Sequence, residues 1–302
     1  MILTLSTFTS YSDRETWLNA RKRGIGGSEA AAVLGISPWV SPLTLYLRKL
    51  NLMPEQDSSE RMQWGLDLED AVAAYYERET GRKLYSPKPY TIFESKEHPF
   101  MQCTIDRLIE QFDDRGPGVV QIKTAGPGML GEWQEEVPLY YQVQIQHEMS
   151  VMGYKWGSFA VFFGDYKGLI VDVNRNDRFV EILVEKEGEF WKRICDEDPP
   201  PVDHSESSKE ALHHVYGQDT GESIALPGDA LHWDQQLQEL KAQERQLKKE
   251  KTGLENQIKS EMGFNTYGVL PNGTSYIWKS HQREGYWVDA TTVRTLRRKA
   301  AK

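Results

Sequence analysis

The hydrophobic pattern changes period repeatedly along the first part of the chain, and each change predicts an element. Ser12 and Glu15 have the spacing of a capping box and predict a helix through Arg21. A glycine turn follows, then a helix from Ser28 and further helix from Pro42 to Leu50. Leu68, Val72, Tyr75 and Tyr76 share one helical face, which predicts a helix starting near Gly65 and ending at Gly81, a C-terminal stop signal. Three strand-like runs come next, Tyr90 to Glu94, Met101 to Ile109 and Val119 to Thr124. A helix near Leu139 to Val151 precedes two more strands, Ser158 to Phe163 and Leu169 to Asn174, and a last helix runs from about Asp177 to Cys195. Consecutive strands flanked by helices, with a helix-strand step behind them, predict an α/β (α+β) fold in which a mixed sheet is flanked by helices.

Near residue 200 the pattern breaks. The DEDPPP run from Asp196 to Pro201 stops a helix, because consecutive prolines cannot continue one. The polar stretch from Val202 to Gly228 predicts a loop or linker. From Asp229 to Met262 a long charged helix is expected, with Leu240, Leu247 and Leu254 at seven-residue spacing and Leu237 and Ile258 completing a coiled-coil-like seam. Such a helix either seeks a helical partner or lies on its own core. After Gly263, Tyr267 to Leu270 and Ser275 to Lys279 flank Asn272-Gly273, a pair that tolerates the positive φ angles of a tight hairpin turn. The tail from Arg294 to Lys302 is basic. The predicted organisation is a core over 1–200, a linker over 201–228 and an appendage of long helix and β-hairpin over 229–302.

Composition narrows the function classes. With 39% hydrophobic and 27% charged residues the chain is globular rather than disordered or fibrous. No stretch approaches the roughly 18 consecutive apolar residues of a membrane span, and the N-terminus lacks the features of a signal peptide, so a cytoplasmic location is expected. Two cysteines, Cys103 and Cys195, cannot build a disulfide framework or a cysteine-rich zinc site. A formal charge of −9 argues against wholesale wrapping in nucleic acid. It leaves room for a local basic groove, and an excess of carboxylates also suits a divalent-metal enzyme.

The candidate chemistry centres on Cys103 to Glu110 and Val119 to Thr124. An Asp in one strand is followed in the next by Gln121 and Lys123, which project from one face while Ile122 points to the other. In that geometry Asp106 and Gln121 would hold Mg²⁺, the backbone carbonyl of Ile122 could add an oxygen, and Lys123 would orient or activate an attacking water. The competing reading is a cross-strand ion pair. Three other segments add to the set. Glu69, in Trp64-Gly-Leu-Asp-Leu-Glu69, lies at the edge of its helix's apolar face, where a carboxylate can lean over a neighbouring sheet. Arg21-Lys-Arg-Gly-Ile-Gly-Gly-Ser28-Glu29 puts glycines and a hydroxyl at a helix start with basic residues before it, an anion site in which Ser28 either binds or merely caps. Gln142, Gln146 and Met149 share a helical face, so Gln142 could meet a water or phosphate.

Taken in order, R-x-x-G-I-G-G-S-E, W-G-x-x-x-E, I-D, Q-I-K-T and Y-Y-Q-V-Q resemble the lambda exonuclease-like, YqaJ-type family of phage recombination nucleases, within the PD-(D/E)xK nuclease superfamily. The resemblance covers roughly residues 10 to 195, and the helix and hairpin behind it also resemble many YqaJ-type proteins. It implies a restriction-endonuclease-like core and Mg²⁺ dependence, with Mn²⁺ as a substitute. By that likeness Asp106 and Gln121 are metal ligands, Lys123 the catalytic lysine, Glu69 a second acidic helper and Gln142 the glutamine of the helix behind the site, while Arg21 and Ser28 hold a 5′-phosphate. It further implies 5′-to-3′ digestion of one strand of duplex DNA from its end, a single-strand annealing protein as partner, a trimeric ring around DNA, and a phage or prophage origin in a bacterial cell.

One residue departs from the family pattern, which wants an acid at position 121. An amide is a neutral, weaker ligand and removes one negative charge from a site built for a divalent cation. Impaired activity is therefore expected in this form. Two further accounts stand beside it: Glu69 and Asp106 suffice, or the chain is a relic that binds DNA ends as a recombination scaffold. A structure-specific endonuclease is the remaining alternative.

Overall fold

In the structure, a computed structural model that describes residues 5–54, 59–110, 113–282, 285, 287, 296 and 298, Asp13 rather than Ser12 caps the first helix. Its carboxylate accepts the Thr16 N–H at 2.8 Å, and the Ser12 hydroxyl donates to Asp13 instead. Strand β1 (Ser6–Ser10), not predicted from the pattern, leads into this helix, α1 (Arg14–Arg21). Helix α2 (Gly27–Val33) starts one residue before Ser28, with Gly26 as its cap and the Glu29 carboxylate accepting the Gly26 N–H at 2.7 Å. Helix α3 (Pro42–Lys49) opens on a proline, whose missing N–H costs nothing in a first turn. Helix α4 (Glu60–Thr80) starts before Gly65, because Ser59 caps it through the Met62 N–H, and it ends at Gly81 as expected.

Strands β2 (Leu84–Tyr85) and β3 (Thr91–Ser95) follow. The run predicted as one strand from Met101 to Ile109 is two, β4 (Gln102–Cys103) and β5 (Arg107–Ile109), and they belong to different sheets. The break falls at Asp106, whose side chain turns to the backbone of the next strand instead of continuing the first. Then come β6 (Gly118–Ala125), α5 (Leu130–Glu135), α6 (Leu139–Met152), β7 (Trp156–Phe163), β8 (Lys167–Asn174) and α7 (Asp177–Cys195).

The central sheet has the order β2-β5-β6-β7-β8. Only β6 and β7 run parallel, so the sheet is mixed, as predicted. The segment expected over Tyr90 to Glu94 does not join it. It pairs with β1 and β4 in a separate antiparallel sheet of order β1-β3-β4. Strand β7 is buried on both sides, which is why its sequence is a continuous apolar run. Phe159, Val161, Phe163 and Val119 pack with Ile145 and Met149 of α6, while Ala160, Val120 and Ile122 pack with Val72, Ala73 and Tyr76 of α4. The sheet is thus sandwiched between α4 and α6, and its strict alternation turns Gln121 toward α6.

A helix, α8 (Glu206–Tyr216), lies inside the stretch expected to be a linker. Its Ala211 is buried in the cluster formed with α3, and the Thr44 hydroxyl donates to the Ser207 carbonyl at 2.9 Å. The first of two compact units therefore extends through Gly217, and the second begins at Gln218. With few apolar residues, SSKEALHHVY gave no helical period strong enough to read.

In the second unit, α9 (Ala230–Met262) is followed by the hairpin strands β9 (Tyr267–Val269) and β10 (Ser275–Ile277), as the pattern indicated. Gly273 takes a φ of +86°, which explains glycine at the turn, and the Asn272 side chain accepts the Thr274 N–H at 3.0 Å. Leu240, Leu247 and Leu254 are exposed along α9. The basic tail lies outside the described residues except for 296 and 298, where Arg298 pairs with Asp234 at 2.9 Å. Among the described residues no helix is long and apolar enough to cross a membrane, and both cysteines are free thiols.

Candidate active site

Strands β5 and β6 place Asp106 and Gln121 side by side, since Arg107 is opposite Val120 in the antiparallel ladder. One Asp106 oxygen accepts the Ile122 N–H at 2.8 Å. Among the described residues its other oxygen takes no hydrogen bond. Burial pushes the Asp106 carboxyl above the usual range, against the pull of Lys123 and of the Ile122 hydrogen bond. Two positions along β6, the Lys123 ammonium donates to the Gln121 amide oxygen at 2.8 Å and to Gln144 at 3.1 Å, and stands over the Tyr141 ring at 5.1 Å. Period-2 geometry put Gln121 and Lys123 on one face, as the sequence indicated.

The other wall is α6, and here the sequence reading points to the wrong facet. Gln142 donates to the Val137 carbonyl at 2.7 Å and to Glu136, away from Lys123. Gln144, two positions on, meets the cluster instead, donating to the Gln121 amide oxygen at 2.8 Å and to Glu148 at 2.9 Å. Gln146 is structural: it accepts the Asn176 N–H and donates to the Asn174 carbonyl, fixing the start of α7. Glu148, one turn beyond Gln144, is fully buried, and both its oxygens accept from the Gln121 amide nitrogen, at 2.9 and 2.8 Å. Burial, reinforced by the Asp106 charge, pushes the Glu148 carboxyl up to about 8. The i,i+4 spacing of Gln144 and Glu148 was the available signal for both residues.

Glu69 leans over the sheet from α4. Arg107 donates to it, to Asp70 and, at 2.6 Å, to the Asp106 carbonyl, so one guanidinium ties α4 to the Asp106 strand. Burial raises the Glu69 carboxyl and the Asp106 charge adds to this, Arg107 opposing both. Beside the cluster an open cleft of about 480 Å³ is lined by Glu60, Arg61, Trp64, Thr124, Ala125, Gly126 and Met129.

The predicted anion site is partly assembled. Arg21 reaches the Ser28 hydroxyl at 3.4 Å and stacks over Trp17 at 4.9 Å. Ser28 is the second residue of α2 and not its cap. The buried Lys49 ammonium donates to the Arg21 and Gly24 carbonyls and to Glu29, which fixes the loop between α1 and α2. The first turn of α2 touches the cluster: a Cβ on Gly27 would stand 2.8 Å from a Glu148 oxygen. Behind it, buried His147 bridges Glu187 at 2.7 Å and the Gln102 carbonyl at 2.9 Å.

Among the described residues no group of three His, Cys, Asp or Glu side chains is gathered so as to hold a metal ion, so amide and backbone oxygens would have to complete any such site. The donors at hand are hard oxygens, which suit Mg²⁺. The Asp106 charge raises both Glu69 and Glu148, and a cation bound at Asp106 would relieve that repulsion. The residues therefore fit a divalent cation.

Comparison with known proteins agrees with this architecture. The YqaJ-like viral recombinase domain matches residues 16–155. The Uncharacterized protein YqaJ of Bacillus subtilis (strain 168) is 33% identical over 276 residues, covering 89% of this chain and 84% of that protein. Among solved structures, LHK-Exo in complex with dAMP superposes with a TM-score of 0.52 at 20% identity, over 61% of this chain and 94% of that one. A second structure, of the alkaline exonuclease LHK-Exo from Laribacter hongkongensis, gives 0.49 at 21% identity over the same shares. The structural likeness is one of fold, the PD-(D/E)xK type of mixed sheet flanked by helices. By its sequence match along most of its length, the chain belongs to the YqaJ-like viral recombinase family.

Proposed function

We propose that this protein is a metal-dependent deoxyribonuclease that digests linear double-stranded DNA 5′-to-3′ from a 5′-phosphate end. The reading rests above all on one juxtaposition: Asp106, Gln121 and Lys123 meet on adjoining strands, with the lysine ammonium 2.8 Å from the amide oxygen. In this reading Asp106, the Gln121 amide oxygen and the Ile122 carbonyl would hold Mg²⁺, or Mn²⁺ in its place. The cation would supply charge stabilisation to the phosphate oxygens as the diester is attacked. Lys123, aimed by Gln121 and Gln144, orients the attacking water and adds a positive group where negative charge grows. Glu69 is an acidic helper tethered to the Asp106 strand by Arg107. Arg21 and Ser28 hold the terminal 5′-phosphate, a contact that positions the end without reading its sequence.

The proposal extends to a cytoplasmic, phage- or prophage-encoded enzyme whose 3′ overhang is handed to a single-strand annealing protein. A ring of copies, a trimer, would encircle the DNA. The net charge of −9 is compatible with this, because only the DNA groove must be positive.

Digestion of linear duplex carrying a 5′-phosphate, with Mg²⁺ and with EDTA, tests the reading. Cleavage should require the metal, spare covalently closed circles, and fall by about 10²-fold or more in Lys123→Ala. Cutting of closed circles would make it an endonuclease. End binding without cleavage would make it a recombination scaffold.

A further inference from the structure

We propose that Glu148 supplies the carboxylate that the family pattern places at position 121, so that the Gln121–Glu148 pair does the work of one strand-borne acid. The inference rests on the nuclease reading above and removes the expectation of impaired activity drawn from Gln121.

The first argument is position. Both Glu148 oxygens lie 2.8 to 2.9 Å from the Gln121 amide nitrogen, the atom that a glutamate at 121 would replace with oxygen. The negative charge is displaced by one hydrogen-bond length and delivered from α6 rather than from β6. The second is complementarity. With an acid at 121 two buried carboxylates would face each other at that distance, and both could not stay ionised. Glutamine has the same shape, donates where glutamate would repel, and is the partner an ionised Glu148 requires. The third is the company the carboxylate keeps. Buried charges are ordinarily paired. Among the described residues Glu148 has no cationic side chain at ion-pair distance, and its hydrogen-bond partners are the neutral amides of Gln121 and Gln144. With no ion pair inside the chain, and Lys123 and His147 acting on it only at longer range, this carboxyl is placed to ionise against a cation that is not part of the chain. The fold also makes room for the Glu148 side chain, because the first turn of α2 carries glycine where a Cβ would collide with its carboxylate.

Calorimetric titration of Mn²⁺ into the full chain, alongside duplex cleavage, tests the inference. Glu148→Gln should weaken Mn²⁺ binding by about tenfold or more and slow cleavage, with an unchanged melting temperature. Gln121→Glu added to Glu148→Gln, which returns the acid to the strand, should restore both. If Glu148→Gln lowers the melting temperature, the exchanged pair decides alone, since it keeps one carboxylate and one amide. Wild-type affinity in Glu148→Gln, or an exchanged pair that folds yet binds weakly, overturns the inference. A wild-type chain that neither binds Mn²⁺ nor cuts DNA overturns the nuclease reading and this inference with it. A wild type that does both beside an equally competent Glu148→Gln overturns this inference alone.

Discussion

Asp172, on β8, shows how a single carboxylate can close the edge of the sheet. Arg82 meets it through two hydrogen bonds of 2.7 Å, Arg115 adds a third at 3.0 Å, and the Ser158 hydroxyl donates at 2.9 Å. Both guanidinium groups also lie over the Trp156 ring, Arg115 at 3.9 Å and Arg82 at 4.9 Å. Burial alone would raise the Asp172 carboxyl, but the hydrogen bonds from Arg82, Arg115 and Ser158 outweigh it and hold it below the usual 3.8. A carboxyl lowered in the folded state stabilises above its unfolded value, and that stabilisation is lost as pH falls through the folded value. Asp172→Asn should therefore cost about 2 kcal/mol at pH 7. In denaturant melts the gap between wild type and variant should shrink as the pH drops below about 4. None of this cluster is readable from sequence, because Arg82, Arg115, Ser158 and Asp172 come from separate loops and strands that only the sheet order brings together.

At the scale of elements, α6 and α2 set the geometry of the site. Helix α6 buries Val143, Ile145, Gln146, His147, Glu148, Met149, Val151 and Met152, so it is enclosed on nearly every side. A helix buried all round has no apolar stripe from which to infer its facing, which is why the sequence reading chose Gln142 where the structure presents Gln144 and Glu148. Strand β6 offers the contrast. Its period of two cannot drift, and Gln121 and Lys123 fall where the pattern placed them. Helix α2 approaches α6 through Gly27, and Gly27→Ala would drive a methyl into the Glu148 carboxylate. That variant should lose about 1–3 kcal/mol of stability in thermal or denaturant melts, as overpacked sites do. Its cleavage should be weakened more than that of an Ala substitution on an exposed face of α1.

For the whole molecule, the boundary at Gly217 separates a unit with its own sheets and core from one that is mostly helix. Leu240, Leu247 and Leu254 are more than 60% exposed along α9, and a helix of this kind gains little stability by itself. A chain cut after Gly217 should therefore melt as cooperatively as the full protein. Sedimentation should find it smaller by more than the deleted mass, because the leucine seam is the candidate contact between copies. Unchanged oligomer size after the cut would assign that contact to the first unit.

The sequence by itself determined the order of most helices and strands, the mixed sheet, the hairpin at Asn272-Gly273, and the shared face of Gln121 and Lys123, because local period, caps and turn chemistry act over a few neighbouring residues. Tertiary structure decided the rest. It split Met101 to Ile109 between two sheets, moved β3 out of the central sheet, made part of the expected linker into α8, and turned Glu148 onto Gln121. These outcomes depend on which surfaces remain to be covered once the sheet has formed, and burial against distant partners leaves no period in the chain.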